Sequence, residues 1–221
     1  MIKVCGLRNG ENIRQVAALS VDWIGLIFWP QSPRYVSMIP SNAGIIPDRV
    51  SDIGEFKAKR VGVFVDPTAQ DVITRVVNFQ LDLIQLHGHE TPTFIRNLRH
   101  TLADIRPVKV IKAISVSSRD DIAAYKDYAD CVDYFLFDTK CKTVGGSGEQ
   151  FDWSVLEAYD GDIPFLLSGG IGPDDAERVR NFHHPQCIGI DLNSRFESEP
   201  GFKDVAALRQ FINQLNRENV K

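Results

Sequence analysis

The chain has 221 residues, 43% hydrophobic and 24% charged, a balance that excludes collagen-like, mucin-like and disordered proteins. At this length one domain buries roughly 70% of the surface its unfolded chain exposes, so a single domain over residues 1–221 is expected, with no need of disulfides or a structural metal. Twenty-five Lys and Arg against 29 Asp and Glu give a net charge of −4. That argues against a nucleic-acid partner, and any anionic ligand must be gripped by local groups.

The chain enters structure-forming sequence at once, Met1-Ile2-Lys3-Val4-Cys5-Gly6, without the apolar run and cleavage site of a secretion signal. No apolar stretch approaches the ~18–20 residues of a membrane span. A cytoplasmic enzyme with no membrane partner is therefore expected. Cys5, Cys131, Cys141 and Cys187 contain no C-x-x-C pair and are expected to be reduced thiols.

Short runs of Val, Ile, Leu and Phe recur along the chain, each followed by a polar or glycine-containing turn and mostly by helical spacing, the alternation of βα units. In chain order the predicted strands are 2–5, 23–28, 61–65, 81–86, 108–111, 134–137, 165–167 and 187–190. Several are continuously apolar, as strands covered on both faces of a parallel sheet are. Between them Ile13, Val16, Ala17 and Ser20 recur three or four apart, as do Val72, Ile73, Val76 and Val77, and later Val205, Leu208, Phe211, Ile212 and Leu215; these mark one-sided helices. Asp66-Pro67-Thr68 and Thr91-Pro92 place a capping side chain before a first-turn proline, Gly172-Pro173 does so with glycine, and Ser118 to Asp121 resembles a capping box. From Pro30 to Arg60 the prolines at 33, 40 and 47 leave room for at most one short helix, near 37–46.

Eight strands alternating with about eight helices fit the α/β class as a single-domain (β/α)8 barrel. An open doubly wound sheet would bring a glycine-rich nucleotide fingerprint after its first strand, and Cys5-Gly6-Leu7-Arg8-Asn9-Gly10 is not G-x-G-x-x-G.

In a barrel the C-terminal ends of the strands and the loops after them build the site. The polar residues there are Cys5, Ser32-Pro33-Arg34, Asp66, Gln85, His87, Lys112, Asp138, Ser168-Gly169-Gly170, Asp191, Asn193 and Ser194. The loop from Ser168 through Gly169 and Gly170 to Asp174 lets backbone N–H groups approach an anion, and Asp191, Asn193 and Ser194 lie on the neighbouring loop. The two loops occupy the phosphate-binding position after strands seven and eight of many barrels. His87-Gly88-His89 as a metal pair would need further His or carboxylate ligands, and none can be placed, so no metal is expected.

Lys3-Val4-Cys5-Gly6, Gly25-Leu26-Ile27-Phe28, Ser32-Pro33-Arg34-Tyr35-Val36-Ser37, Val61 to Phe64 and Gln85-Leu86-His87-Gly88 occur in that order. They are followed by Phe137-Asp138-Thr139, Gly145 to Gly148 with Phe151-Asp152-Trp153, Leu167 to Ile171 and Gly189-Ile190-Asp191. Over nearly its whole length the chain thereby resembles the phosphoribosylanthranilate isomerase family of tryptophan biosynthesis. The resemblance implies a small-molecule phosphorylated substrate and a cofactor-free Amadori rearrangement of N-(5-phosphoribosyl)anthranilate to 1-(2-carboxyphenylamino)-1-deoxyribulose 5-phosphate. An acid protonates the furanose oxygen to open the ring to a Schiff base, and a base removes the proton from sugar C2.

Cys5 and Asp138 match the family's base and acid. Arg34 matches the position that contacts the substrate, where a guanidinium fork suits the anthranilate carboxylate, and His87 is a further candidate for substrate contact. Cys5 must be partly thiolate to act, while Asp138 must keep some acid form, which burial or the substrate's anionic groups would favour. Gly145 to Gly148 reads either as a loop that closes over the substrate or as a flexible connection. The family's usual Ser-Ser-Gly-Val-Glu run is Asn193-Ser194-Arg195-Phe196-Glu197 here. Arginine adopts positive φ less readily than glycine, so either the loop backbone differs or the added charge supports the phosphate. An indole-glycerol-phosphate synthase would want a longer N-terminal extension and Lys/Glu pairs, a ribulose-phosphate epimerase would want metal ligands, and a silent sugar-phosphate binder would not need an opposed acid and base. A monomer is expected, because one barrel completes its own site.

Overall fold

Strand β1 (Ile2–Val4) pairs in parallel both with β2 (Trp23–Ile27) and with β8 (Cys187–Leu192), which closes the sheet on itself. The computed structural model describes residues 1–37, 57–139 and 152–217. The remaining strands follow in sequence order around the barrel: β3 (Lys59–Phe64), β4 (Leu83–Leu86), β5 (Lys109–Val116), β6 (Tyr134–Thr139) and β7 (Phe165–Ser168). All eight predicted strands are present. The expected helix near 37–46, Cys141 and the Gly145 to Gly148 segment lie outside the described residues or at their edge.

Trp23, Val61, Leu83, Ile111, Ala113, Leu136 and Leu166, drawn from six adjacent strands, form a buried cluster of their own and fill the barrel as layered side chains do in this architecture. The opposite faces of the strands belong to a larger cluster with α1 (Gly10–Ala17), α2 (Ala69–Asn78), α3 (Pro92–Ala103), α5 (Ala176–Asn181) and α6 (Val205–Leu215). Burial on both faces explains the continuously apolar runs.

Local chemistry sets the helix starts. Thr91 caps α3 by accepting from the Phe94 N–H at 3.2 Å, with Pro92 in the first turn. Asp121 and Ser118 form the expected capping box of the short α4 (Arg119–Ile122). At α2 the cap is Thr68, which accepts from the Asp71 N–H at 3.1 Å. Asp66 instead turns away with φ +45 and accepts from the His89 backbone, tying the loop after β3 to the loop after β4.

Strand β5 runs five residues beyond its predicted end at 111. Lys112 reads as a break in an apolar run, but its Nζ donates to Glu90 Oε2 at 2.9 Å and to the Gly88 carbonyl at 2.7 Å. A buried lysine is tolerated once it is paired and hydrogen-bonded, so the strand continues through it.

Candidate active site

A cavity of about 300 Å³ opens at the C-terminal ends of the strands, lined by Cys5, Gln85, His87, Asp138, Ser168, Gly169, Gly170, Asp191, Asn193 and Ser194 together with apolar Ile27, Trp29, Val63 and Ile171. The barrel thus brings Cys5, just past β1, and Asp138, on β6, into one lining although 133 positions separate them in sequence (138 − 5).

Cys5 is buried, packed with Ile27 and Val63, and its N–H continues the sheet by donating to the Leu192 carbonyl at 2.8 Å. Glycine at 25 makes room for it: a Cβ there would stand 2.8 Å from Cys5 Sγ and 3.0 Å from Cys5 Cα. Two residues earlier, Lys3 Nζ donates to Asp191 Oδ1 at 2.8 Å, with the lysine fully buried. Burial pushes the Cys5 thiol above its ordinary value; Lys3 and Lys203 pull it down and Asp191 adds to the rise. Burial also opposes the Lys3 charge, but Asp191 and Cys5 hold the ammonium above its ordinary value. Lys3 thus holds a positive charge two residues from the Cys5 thiol.

On the opposite wall His87 Nε2 stands 3.4 Å from Asp138 Oδ2, and Gln85 Nε2 lies 3.0 Å from His87 Nδ1. If the amide nitrogen donates there, the neutral imidazole carries its proton on Nε2 and presents it to Asp138. His87 therefore meets the candidate acid and not only the open cavity.

Ser168, Gly169 and Gly170 form the rim after β7. Gly169 (φ +101) lies so close to Thr139 that a Cβ would collide with its backbone, and Gly170 (φ +67) faces open space. Thr139 Oγ1 donates to the Ser168 carbonyl at 2.7 Å and fixes the loop to β6. Asn193 and Ser194 reach the same cavity from the loop after β8. Asp191 reaches it as the partner of Lys3, with Ser168 Oγ 3.4 Å from its other oxygen; a carboxylate has no proton to offer a phosphate, whereas the neighbouring backbone and hydroxyl groups do.

Arg34 is placed differently from the rest. The segment after β2 folds back so that the Val36 N–H donates to the Ile27 carbonyl at 2.8 Å. Arg34 then forks onto Glu197, Nε to Oε1 at 2.8 Å and Nη2 to Oε2 at 2.5 Å, and it is absent from the cavity lining. The fork expected to face a substrate carboxylate is held by a protein carboxylate. Glu197 in turn accepts from Lys203 Nζ at 2.6 Å, and the same ammonium donates to Asn193 Oδ1 at 2.8 Å. Burial would raise the Glu197 carboxyl, but hydrogen bonds from Arg34 and Lys203 outweigh it and hold the group below its ordinary range. Asn12 clamps the Lys203 backbone on both sides, at 2.7 and 2.9 Å.

Lys3, Glu197, Lys203 and Asn12 were not expected at the site. The signs available in the sequence are a charged residue at position 3 of an otherwise apolar strand and Glu197 at the end of the family-like run. Among the described residues no group of three or more His, Cys, Asp or Glu is arranged to hold a metal, and no helix is long and apolar enough to cross a membrane.

The family model for N-(5'phosphoribosyl)anthranilate isomerase matches residues 2–214. The chain is 46% identical over 215 residues to the N-(5'-phosphoribosyl)anthranilate isomerase of Parabacteroides distasonis, covering 97% of this chain and 93% of that one. It is 43% identical over 218 residues to that of Phocaeicola vulgatus, covering 99% and 98%. Among solved structures, the phosphoribosyl anthranilate isomerase of Thermotoga maritima superposes with a TM-score of 0.74 at 30% identity, over 97% of each chain. An isomerase in complex with reduced 1-(o-carboxyphenylamino)-1-deoxyribulose 5-phosphate does so with the same score at 27% identity, again over 97% of each chain. With its closed eight-stranded barrel and its cavity at the strand ends, the chain belongs to the N-(5'-phosphoribosyl)anthranilate isomerase family.

Proposed function

We propose that the chain isomerises N-(5-phosphoribosyl)anthranilate to 1-(2-carboxyphenylamino)-1-deoxyribulose 5-phosphate in tryptophan biosynthesis, with Asp138 as general acid and Cys5 as general base. The observation that carries this reading is the shared lining: a thiol just past β1 and a carboxyl on β6 line one cavity of about 300 Å³ beside an open glycine loop. Asp138 donates a proton to the furanose oxygen and the ring opens to a Schiff base. The Cys5 thiolate, countered by Lys3, then takes the proton from C2, and the electron pair moves into the enamine, which tautomerises to the ketose. Two opposed titratable groups suffice for this chemistry. His87 orients Asp138. The phosphate lies against Ser168, Gly169, Gly170, Asn193 and Ser194, with Asp191 acting through Lys3.

Arg34 serves the substrate carboxylate through the part of its guanidinium that Glu197 leaves open, Glu197 holding Nε and Nη2. Cys5 has to remain a reduced thiol to act, which suits a cytoplasmic setting, and one chain supplies every residue named, which suits a monomer. The test is turnover: the wild-type chain converts phosphoribosylanthranilate without added cofactor, and Cys5→Ala and Asp138→Asn do not.

A further inference from the structure

A basic side chain of the cavity has no part in the scheme above. Arg195 is exposed and lines the same cavity as Cys5, Asp138 and the glycine loop. It makes no hydrogen bond or ion pair with another described residue. Among the described residues of the lining it is the only Lys or Arg, in company with the acidic side chains of Asp138 and Asp191. A phosphate monoester carries about −1.5 to −2 charge at neutral pH, and bringing it into a partly apolar cavity beside acidic side chains calls for a cation. Lys3 is engaged by Asp191 and Arg34 by Glu197.

The turn holds Arg195 in place through its neighbour. Phe196 is buried, with its ring centroid 5.0 Å from that of Phe211, and its carbonyl accepts from the Asp204 N–H at 2.8 Å. Residues Ser194–Phe196 form a 3₁₀ turn, and Arg195 is not among the non-glycine residues with positive φ. Arginine thus sits here without the backbone strain its replacement of a family glycine suggested. Its guanidinium lies against the loop after β7: a Cβ at Gly172 would stand 3.3 Å from Arg195 Nε and 3.6 Å from Nη2. Two residues before Gly172, the space at Gly170 is open.

We propose that Arg195 is a binding residue for the substrate phosphate, forming a cationic side wall to the subsite made by the loops after β7 and β8. The assignment rests on the sugar-phosphate reading of this cavity. A guanidinium offers a phosphate a charged, forked donor set, so its loss weakens binding of the phosphorylated substrate and leaves the acid–base step untouched.

The experiment titrates inorganic phosphate into wild type, Arg195→Ala, Arg195→Lys and Arg209→Ala by calorimetry, and measures steady-state isomerisation for the same four proteins. Arg209, exposed on α6, controls for the bulk loss of one charge. Expected in Arg195→Ala are a phosphate Kd and a KM raised about fivefold to tenfold with kcat unchanged. Arg195→Lys should recover part of the loss, and Arg209→Ala should match wild type. Equal phosphate Kd in wild type and Arg195→Ala overturns the proposal whether or not the enzyme turns over, as does an equal loss in Arg209→Ala. A wild type that binds phosphate through Arg195 yet shows no turnover would overturn the reaction assigned to the chain and uphold the role of Arg195.

Discussion

Lys3 and Asp191 stand opposite each other in the register of β1 and β8, and their side chains meet at 2.8 Å with the lysine fully buried. The pair joins the first strand to the last and places a fixed positive charge two residues from Cys5. Removing one partner of such a pair leaves an uncompensated buried charge, whereas replacing both by apolar groups is often close to neutral. Lys3→Met should destabilise the fold by about 3–5 kcal/mol, and Lys3→Met/Asp191→Leu should recover most of that loss. Urea titration of both variants checks this; equal destabilisation of single and double variants would contradict it.

The ionisation of Cys5 can be followed directly. Burial holds the thiol above its ordinary value, and only the thiolate can accept the C2 proton. The thiolate absorbance of the wild type, less that of Cys5→Ala, should therefore grow only in the alkaline range, with its midpoint above the ordinary thiol value. A difference already complete at pH 7 would show that the thiolate forms more easily than this environment allows.

Glycine at 25 is required by the thiol. A methyl group there would press on both Sγ and Cα of Cys5, and contact with Cα cannot be relieved by turning a side chain. Gly25→Ala should cost about 1–3 kcal/mol of stability and, by displacing the base, lower kcat more than tenfold. Wild-type kcat in this variant would mean that Cys5 is not held as tightly as the packing indicates.

Glu197 is the hinge of the Arg34 and Lys203 contacts. Its folded-state carboxyl lies below the ordinary range, so the stability it contributes is complete above about pH 4.3, the unfolded value, and is lost as pH falls through the lowered folded value. Glu197→Gln keeps the shape but removes the charge that orients Arg34. KM should rise about tenfold, equivalent to roughly 1.4 kcal/mol, with kcat little changed, and the acid limb of the stability profile should flatten. An unchanged KM would detach Arg34 from substrate binding.

The barrel was legible in the sequence because its strands are buried on both faces and so appear as bare apolar runs, from Trp23–Ile27 to Phe165–Ser168. The exceptions have local causes. Strand β5 continues through Lys112 because Glu90, 22 positions earlier, takes its charge, and Asp66 leaves the cap of α2 to Thr68 because the His89 backbone claims its carboxylate. Cys5 and Asp138 could be named from the short motifs around them. The Arg34–Glu197 and Lys3–Asp191 pairs could not, since the partners lie 163 and 188 positions apart and only barrel closure brings them together.

The central claim is that Cys5 and Asp138 act across one cavity on phosphoribosylanthranilate. Generating that substrate in the cuvette and following the loss of its fluorescence with wild type, Cys5→Ala and Asp138→Asn tests it most directly. Rapid cofactor-free loss in the wild type, with the ketose product identified and turnover reduced about 100- to 10,000-fold in each variant, is the predicted result; wild-type rates in either folded variant would contradict the assignment of acid and base.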